Sequence, residues 1–413
     1  MNIALFSDSY IPTKSGIVTV VTQLRKVLQD MGHHVVIVTV AEHTGTEFTE
    51  NGTVFRVKSI VSPLGDGQNL GFPHLSRVLD FLRAHDVKLI HAHTEFTLGH
   101  AAIVAGRELN IPVIATTHTM WEDYYRYYLT AGKIIPRRVV RKIVQQAYKQ
   151  FYAFINVSQK AHDYFNRSFM LPGIPSCVIP NAIDIERFSS GSSSGEETEK
   201  LKASMGIKED ETVLLYVGRV VEEKRVNELL EVVMNVSRKN KKIKTVFVGS
   251  GGAVEYLQNE VKKNELQENI LFTGFVDYEN LPKYYALGNI FITASLSEMH
   301  SMTILEALAA GLPIVCREDA SFSDTVYNGK NGYQCETDEA MQEKLLEVAS
   351  KKEECTELGK FSRVIADDFS FGTYGKKHLA FYEEVLKHFP EKVTSEELTA
   401  AVNNVTENTP PRV

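Results

Sequence analysis

The chain has 413 residues, of which 43% are hydrophobic and 23% charged, and its formal net charge at pH 7 is −7. At roughly 100–200 residues per domain, this composition indicates a globular protein of two domains and excludes a disordered, collagen-like or disulfide-stapled chain. No run approaches the roughly 18–20 apolar residues that span a bilayer, so we expect no integral membrane protein. The four cysteines lack paired or metal-ligand spacing and no leader-like segment precedes the first apolar run, which favours a cytoplasmic protein with reduced thiols.

Charge is distributed unevenly along the chain. Residues 1–180 contain 18 basic and 13 acidic residues, whereas the remainder contains 27 basic and 39 acidic ones. Two parts of opposite net charge are expected to face different partners, and the basic part favours anionic surfaces. The positive excess is too small to indicate a nucleic acid as partner.

The first forty residues predict a β-α-β unit. MNIALFSDS is a strand candidate, SGIVTVVTQLRKVLQDMG has apolar residues at helical spacing, and HHVVIVTV has the continuous apolar character of a buried parallel strand. Further strand candidates lie at 87–93, 112–119, 153–158 and 176–180, and helical patterns separate most of them. This alternation predicts a parallel sheet with helices on both faces.

A Ser/Gly-rich, acidic stretch at 189–200 is expected to be a flexible loop, and a second alternation of strands and helices follows it. The prediction is therefore an α/β protein of two Rossmann-like doubly wound domains, with ligands in the cleft at the carboxyl ends of both sheets. The expected divisions are a first domain at 1–180, a second domain at 181–375, a helix at 376–390 that packs back on the first domain, and a flexible tail at 391–413.

Two segments of the second domain combine a strand end with groups that suit phosphate. In LLYVGRVVEEKR, Gly218 permits close backbone approach, and Arg219 and Lys224 are two cations after a strand end that suit a diphosphate. The alternative is a solvated loop whose charges are offset by neighbouring glutamates. In VFVGSGG, Gly249 is part of a glycine turn that lacks the full dinucleotide fingerprint, and a tight turn without a ligand explains it equally well.

The segment SLSEMHSMTILEALAAGLPIV places Glu298 and Glu306 eight positions apart around the start of a helix. A helix N-terminus offers unpaired N–H groups to an anion. Glu306 lies among apolar residues, where a carboxylate needs hydrogen-bond donors such as sugar hydroxyls. The alternatives are an exposed Glu306 on a polar stripe and a Glu298 that only complements the helix dipole.

Candidate residues also follow the strand ends of the first domain. Gly16 precedes the first helix and would allow a substrate to approach the backbone. His118 is suited to bond a sugar hydroxyl, and Glu95 and Asp123 to orient an acceptor, although a lone histidine at a strand end is often a satisfied structural residue.

A basic, aromatic-rich region follows. No acidic residue occurs between Tyr124 and His162, and aromatic residues that include Trp121 and Tyr124 lead into a basic amphipathic helix. The basic residues of interest are Arg137, Arg138, Arg141 and Lys142. Basic amphipathic helices beside aromatic residues are typical of peripheral attachment to anionic lipid. The alternative is an ordinary core-packed helix with its basic face in water.

Taken together, these segments resemble the family-4 retaining glycosyltransferases of GT-B architecture over roughly residues 1–385. The resemblance rests on SGIVT, VGRVVEEKR, PNAID and SEMHSMTILEALAAGLPIV, in that order. Within the family, HTEFTLG and HTMWEDYYRYY look like the bacterial diacylglycerol glucosyltransferases.

The resemblance implies site roles at matching positions. Its catalytic residues would be Arg219 and Lys224, which hold the diphosphate of the donor, Glu298, which contacts the donor sugar, and His118, which bonds the 6-hydroxyl. Its donor-binding set comprises Gly16, Gly218, Arg219, Lys224, Gly249, Glu298, Ser301, Met302, Thr303 and Glu306, with Glu306 accepting from the ribose. It implies no metal and no cofactor besides the nucleotide sugar. Two departures are Ser301, where the family commonly has glycine, and Arg225, where a small residue or asparagine is frequent.

The predicted function is transfer of a hexose, with UDP-glucose as the leading donor, to a membrane glycerolipid such as 1,2-diacylglycerol or a monoglycosyl-diacylglycerol. Acceptor and membrane contacts are expected at Glu95, Trp121, Asp123, Tyr124, Arg137, Arg138, Arg141 and Lys142. The enzyme would then be peripheral on the inner face of the cell membrane. One alternative acceptor is a polyprenyl-linked or polysaccharide precursor. A non-catalytic subunit of the same fold is a further alternative, but it would be expected to lose the charged donor-site residues that this chain retains.

Overall fold

A computed structural model describes residues 1–13, 15–41, 47–61, 69–95, 97–121, 125, 135–167, 170–171, 173–189 and 195–407. The chain divides into two compact units. The first comprises Met1–Asn181 together with the C-terminal part from Phe371, and the second comprises Ala182–Ser370.

The first unit is built on an eight-stranded sheet. Its strands are β1 (Asn2–Ser7), β2 (His34–Val40), β3 (Phe48–Glu50), β4 (Val54–Val57), β7 (Leu89–Ala92), β8 (Val113–Thr117), β9 (Ala153–Asn156) and β10 (Ser176–Val178). Strands β5 (Ser59–Val61) and β6 (Asn69–Gly71) form a separate two-stranded sheet. The sheet order is β10-β9-β8-β7-β1-β2-β4-β3, and only the β3–β4 pair is antiparallel. The helices between these strands are α1 (Gly16–Asp30), α2 (Leu75–Ala84), α3 (Thr97–Leu109), α4 (Arg137–Tyr148) and α5 (Gln159–Phe165).

Local sequence explains the first β-α-β unit. Five of the six residues of β1 are buried, as a central parallel strand requires. The Ser15 side chain caps α1 by accepting from the Val18 N–H, and the apolar residues at helical spacing point into the core.

The second unit contains a six-stranded, fully parallel sheet in the order β13-β12-β11-β14-β15-β16. Its strands are β11 (Thr212–Val217), β12 (Ile243–Val248), β13 (Ile270–Gly274), β14 (Ile290–Thr293), β15 (Ile314–Arg317) and β16 (Gly332–Cys335). Its helices are α6 (Ile185–Phe188), α7 (Gly195–Ser204), α8 (Val226–Lys239), α9 (Val254–Lys263), α10 (Leu281–Leu287), α11 (Met302–Ala310), α12 (Asp338–Ala349) and α13 (Lys352–Ala366). This is the strand order of a doubly wound nucleotide-binding sheet, whose ligands bind where the order reverses, beside β11 and β14.

The expectation of a flexible loop over 189–200 is wrong for its second part, because α7 begins at Gly195. Glu196 and Glu197 lie in the first turn of this helix, where they complement its dipole, and Thr198 is buried. Residues 190–194 lie outside the described residues.

The C-terminal part of the first unit forms α14 (Phe371–His388) and α15 (Ser395–Glu407). A Cβ on Gly375 would lie 2.5 Å from Val27 Cγ1, which shows how closely α14 packs on α1. The expectation of a flexible tail from residue 391 is wrong for α15, since Leu398 and Val402 are buried and the Ser176 N–H donates to Ser395 Oγ at 3.0 Å.

Among the described residues, no helix is long and apolar enough to cross a bilayer.

Candidate functional site

In the second unit, the predicted diphosphate residues meet at the carboxyl edge of the sheet. Lys224 lies in a short 3₁₀ turn after β11, and Glu298 lies in the loop after β14, the neighbouring strand. Lys224 Nζ is 2.8 Å from Glu298 Oε1 and donates to Ser297 Oγ at 3.2 Å. Both side chains are largely buried. The structure therefore brings together two residues that are 74 positions apart in the chain.

Both members of this ion pair are charged at neutral pH. Burial alone would lower the pKa of Lys224, but Glu298 and Glu223 together raise it above its ordinary value. Burial alone would raise the pKa of Glu298, but Lys224, the Ser295 hydroxyl and Arg219 together lower it. The cluster is thus a mixed-charge site in which a strong cation is already held in place.

Arg219 is the exposed member of the cluster. Its guanidinium lies 3.1 Å from Glu223 Oε2, with the Arg219 side chain 55% exposed and that of Glu223 6% exposed. The Tyr216 hydroxyl donates to the Arg219 carbonyl at 2.8 Å and so fixes the turn from inside. Sequence reasoning missed Tyr216, because its role depends on a backbone contact that composition does not reveal.

The two glycines after β11 and β12 share a backbone conformation that favours glycine, and Gly249 has a second, steric reason. Gly218 has φ 151° and Gly249 has φ 140°, both in the region that favours glycine. A Cβ on Gly249 would lie 1.9 Å from the Gly218 carbonyl oxygen. Close packing of the two strand-end loops is therefore sufficient to explain Gly249, and its place in a donor site remains a prediction.

The start of α11 carries three predicted donor residues. Ser301 is the N-cap residue, and its Oγ accepts from the Ile304 N–H at 3.4 Å and lies 3.1 Å from Thr303 Oγ1. Met302 and Thr303 form the first turn and are half-buried. The serine hydroxyl thus serves the helix itself, and the N–H groups of the first turn are the groups that could meet an anion.

Glu306 lies one turn further along α11 and is only 4% exposed. The Tyr285 hydroxyl, from α10, donates to Glu306 Oε2 at 2.6 Å and approaches the Thr303 carbonyl at 3.3 Å. Burial raises the pKa of Glu306 from 4.5 to about 7, although Tyr285 and Arg187 favour its charged form. The alternative of an exposed Glu306 on a polar stripe is therefore excluded. Tyr285 is a second residue that the sequence did not reveal.

Arg225, the departure next to Lys224, points away from that cluster. Its backbone is left-handed, with φ 52°, and its guanidinium donates to Asp338 Oδ2 at 2.8 Å. Arg317 donates to the other oxygen of Asp338 at 2.5 Å. Arg225 is therefore part of a structural ion network at the start of α12.

In the first unit, the predicted residues also follow strand ends. His118 comes directly after β8 and His93 directly after β7, the adjacent strand. His118 Nε2 lies 3.1 Å from His93 Nδ1. Burial lowers the pKa of His118 to about 4, so the ring is neutral at physiological pH.

A buried carboxylate fixes the segment that carries Glu95. Asp8, after β1, accepts from the Thr94 hydroxyl at 2.6 Å, the Thr97 hydroxyl at 2.7 Å and the Leu98 N–H at 3.2 Å. Burial raises the pKa of Glu95 to about 7, against the opposing effect of a hydrogen bond from Tyr148. Asp8 is absent from the sequence prediction, since a single Asp after a strand carries no distinctive signal.

The basic helix α4 buries only part of its apolar surface. Val140, Val144 and Tyr148 are buried, whereas Val139 is 42% and Ile143 63% exposed. Its basic residues Arg137, Arg138 and Lys142 are exposed and Arg141 is half-buried. The exposed surface of α4 is thus both basic and apolar, because only every fourth residue reaches the core. Trp121 is half-buried, and Asp123 and Tyr124 lie outside the described residues.

Gly16 has no structural reason of its own to be glycine. It begins α1 with no described atom within 4 Å of the position that a Cβ would occupy, and its φ is not positive. Among the residues that the structure describes, nothing occupies the space beside its α-carbon, so a ligand would fit there.

Two parts of the chain each match a known family description. The description "Glycosyltransferase Family 4" matches residues 14–187, and "Glycosyl transferases group 1" matches residues 197–364. An alpha-monoglucosyldiacylglycerol synthase of Streptococcus pneumoniae is 30% identical over 315 residues, which cover 76% of this chain and 70% of that protein. The enzyme of the same name from Acholeplasma laidlawii is 27% identical over 394 residues, which cover 94% of this chain and 98% of that protein.

Solved structures share the fold. HepE of Anabaena in complex with UDP superposes with a TM-score of 0.71 at 17% identity, covering 93% of this chain and 100% of that chain. Sucrose-phosphate synthase from Thermosynechococcus elongatus superposes with a TM-score of 0.72 at 16% identity, covering 94% and 100%. The predicted α/β class with two Rossmann-like units of the GT-B type is confirmed. The chain belongs to glycosyltransferase family 4 and is a nucleotide-sugar-dependent hexosyltransferase.

Proposed function

We propose that this hexosyltransferase moves glucose from UDP-glucose, with retention of anomeric configuration, to diacylglycerol or to a monoglycosyl-diacylglycerol. The observation that carries the proposal is the cluster at the carboxyl edge of the second sheet, where Lys224 and Arg219 provide two cations in a place typical of nucleotide binding. The names of the two synthases at 30% and 27% identity support the lipid acceptor. A structure of HepE with UDP-glucose, of TM-score 0.69 and 18% identity over 92% of this chain and 99% of that one, supports the donor.

In this proposal, transfer breaks the bond between the sugar C1 and the diphosphate oxygen and forms a bond from C1 to the acceptor oxygen. The proton of the acceptor hydroxyl passes to the departing diphosphate, so the reaction needs no further reactant. Negative charge grows on the diphosphate as it leaves, and Arg219 and Lys224 are the groups that stabilise it. Glu298 holds Lys224 at 2.8 Å, which keeps the ammonium oriented before the donor arrives.

The remaining donor contacts follow from the chemistry of each side chain. A carboxylate offers about four lone-pair sites, so Glu306 can accept from ribose hydroxyls in addition to Tyr285. The open space beside Gly16 supports close approach of the donor to the start of α1. His118 would contact the 6-hydroxyl of the sugar.

The acceptor would reach the enzyme from a membrane. The exposed surface of α4 combines Arg137, Arg138 and Lys142 with the apolar side chains of Val139 and Ile143. Basic groups suit anionic headgroups, and exposed apolar groups suit the region just below them. We therefore place the protein peripherally on the inner face of the cell membrane, with Glu95 near the acceptor.

A polysaccharide precursor is the second candidate acceptor. It is favoured by a "putative teichuronic acid biosynthesis glycosyltransferase", TuaC of Bacillus subtilis, which is 29% identical over 246 residues, 59% of this chain and 57% of that protein.

A donor-by-acceptor screen tests the proposal. The purified chain is mixed with UDP-glucose, UDP-galactose, UDP-N-acetylglucosamine or GDP-mannose and with diacylglycerol or monoglucosyl-diacylglycerol in anionic micelles, and products are identified by mass and by the anomeric proton coupling. We expect an α-glucosyl lipid from UDP-glucose. Product formed only on a polyprenyl-linked or polysaccharide acceptor would contradict the lipid assignment, and an inverted anomer would contradict retention.

A pair of lysine variants tests the role of the cluster. Lys224→Gln should abolish transfer, whereas Lys242→Gln should not, because Lys242 is an exposed lysine whose partner, Asp210, is also exposed. Equal activity of the two variants would contradict the proposed diphosphate site.

A further inference from the structure

Histidine rings form a row inside the first unit. The ring centroids of His91 and His93 are 4.2 Å apart, those of His93 and His118 are 5.4 Å apart, and those of His91 and His378, from α14, are 6.1 Å apart. His91, His93 and His378 are buried, and His118, at one end, is partly exposed. His118 is therefore the member of this row that can meet a ligand.

The rings of the row are neutral. Burial lowers the pKa of His118 and of His378 to about 4, and it lowers the pKa of His91 and His93 well below the ordinary value, with a further contribution from the neighbouring rings. A neutral imidazole has one N–H and one lone pair. In the contact between His93 and His118, one ring therefore donates and the other accepts.

The second ring nitrogen of His93 decides which of the two rings donates this hydrogen bond. His93 Nδ1 faces His118 Nε2 at 3.1 Å, while His93 Nε2 is buried and has no hydrogen-bond partner among the described atoms. If His118 donated, the proton of His93 would lie on Nε2 and a buried N–H would have no acceptor. If His93 donates from Nδ1, only a lone pair is left without a partner. Buried N–H groups without partners are rarer in proteins than under-used acceptors, so the second arrangement is favoured.

His91, on the other side of His93, can carry its ring proton on either nitrogen. His91 contacts the Tyr382 hydroxyl through Nδ1 at 2.8 Å and the Thr116 hydroxyl through Nε2 at 2.6 Å. Hydroxyls both donate and accept, so either tautomer of His91 is satisfied. His91 therefore packs against the ring of His93 without fixing the position of the His93 proton.

We propose that His93 is a positioning residue that donates from Nδ1 to His118 Nε2 and thereby keeps the proton of His118 on Nδ1. His118 then offers an N–H to its ligand and recognises an acceptor oxygen. The inference deepens the proposed function and rests on the assignment of His118 to the 6-position of the donor sugar. It adds a specificity: the 6-hydroxyl is bound as an acceptor, so a 6-deoxy sugar loses the contact and a 6-carboxylate retains a partner for the N–H.

Nitrogen NMR tests the tautomer without reference to activity. Long-range ¹H–¹⁵N spectra of the full chain labelled at histidine are compared with those of His118→Asn and His93→Asn, which identify the two rings. We expect both rings to show the Nδ1–H pattern. An Nε2–H pattern for His118 would overturn the inference and leave the proposed function intact, whereas absence of transfer with the expected NMR pattern would count against the proposed function alone.

Matched variants test the consequence for turnover. Asparagine at position 93 can place an amide donor close to the position of Nδ1, and leucine has the same branching without a donor. Relative to His93→Asn, we expect His93→Leu to lose about tenfold in kcat/KM for UDP-glucose, which corresponds to about 1.4 kcal/mol, and to lose much less for the UDP-6-deoxy sugar. Equal losses on both donors would show a merely structural role. If His93→Leu does not fold, the tautomer spectrum of the wild-type chain still decides the question.

Discussion

Replacing Glu306 by glutamine should stabilise the protein above neutral pH while it removes transfer. Burial raises the pKa of Glu306 from 4.5 to about 7, so between these values the folded protein holds a proton that the unfolded chain has released. Stability falls with pH wherever the folded state binds more protons. The wild-type protein therefore loses stability from about pH 4.5 upward, and the loss is complete above about pH 7.

The magnitude follows from the interval between the two pKa values. At about 1.4 kcal/mol per pH unit, this interval corresponds to roughly 3 kcal/mol of unfolding free energy. Glutamine does not ionise, and its amide oxygen can still accept from the Tyr285 hydroxyl. The unfolding free energy of Glu306→Gln minus that of the wild type should therefore rise by roughly 3 kcal/mol between about pH 5 and pH 8.

The assay is urea unfolding of both proteins across that range, with transfer measured in parallel. Glu298→Gln is the matched control, since the pKa of Glu298 is lowered, with Lys224 and Ser295 outweighing the effect of burial. Its carboxylate stabilises the folded state above the unfolded pKa, and that contribution disappears as the pH falls through the folded pKa. Glu298→Gln should thus be less stable than the wild type at neutral pH, with a difference that shrinks in acid. A difference in unfolding free energy between Glu306→Gln and the wild type that does not change with pH would refute the raised pKa of Glu306. Near-normal turnover of Glu306→Gln would refute its proposed role in transfer.

Three further predictions concern the membrane, the metal and the ion network. Serine at the four basic positions of α4 should release the protein from anionic vesicles in a flotation assay, since each basic residue contributes roughly 1 kcal/mol near such a surface; unchanged binding would place attachment elsewhere. The four positions are Arg137, Arg138, Arg141 and Lys142. EDTA should leave the rate of transfer unchanged, because two cations of the chain are assigned to the diphosphate, and a strict requirement for added Mg²⁺ would contradict this. Asp338→Asn should reduce stability to urea by roughly 1–3 kcal/mol, because Arg225 and Arg317 lose a shared charged acceptor; a difference below about 0.5 kcal/mol would show that the network contributes little.

Most strands were predictable because buried parallel strands are continuous apolar runs, whereas β3 to β6 and β16 were not among the predicted strands. The two missed helices differ from them in composition. Helix α15 is mostly polar, and its signal was the apolar spacing of Leu398 and Val402, which a polar composition obscured. Helix α7 follows a Ser/Gly-rich stretch, and the loop prediction extends too far into its acidic first turn.

The charged residues of the proposed donor site lie in local sequence motifs, whereas the side chains that contact them could not be predicted from the sequence. Tyr285 reaches Glu306 from another helix, and Tyr216 bonds a carbonyl after its own strand. Such partners are set by packing, and hydrogen bonds between side chains distant in sequence leave no fixed spacing to read. The same limit applies to the contact of His93 with His118, which joins the ends of two adjacent strands.

The two departures from the family pattern have different physical explanations. Ser301 has φ −76°, which any residue adopts, so the backbone does not require the glycine that is common there; the serine instead caps α11. Arg225 has φ 52°, where asparagine or glycine is favoured, and its left-handed backbone carries a cost that the contact with Asp338 offsets.

Arg225→Asn should therefore be tolerated in the wild-type background, because asparagine adopts this conformation with less strain. In an Asp338→Asn background the same change should restore stability, since it removes a cation that has lost its partner. A double variant no more stable than Asp338→Asn alone, in the same urea assay, would show that strain and ion pairing at Arg225 are not coupled.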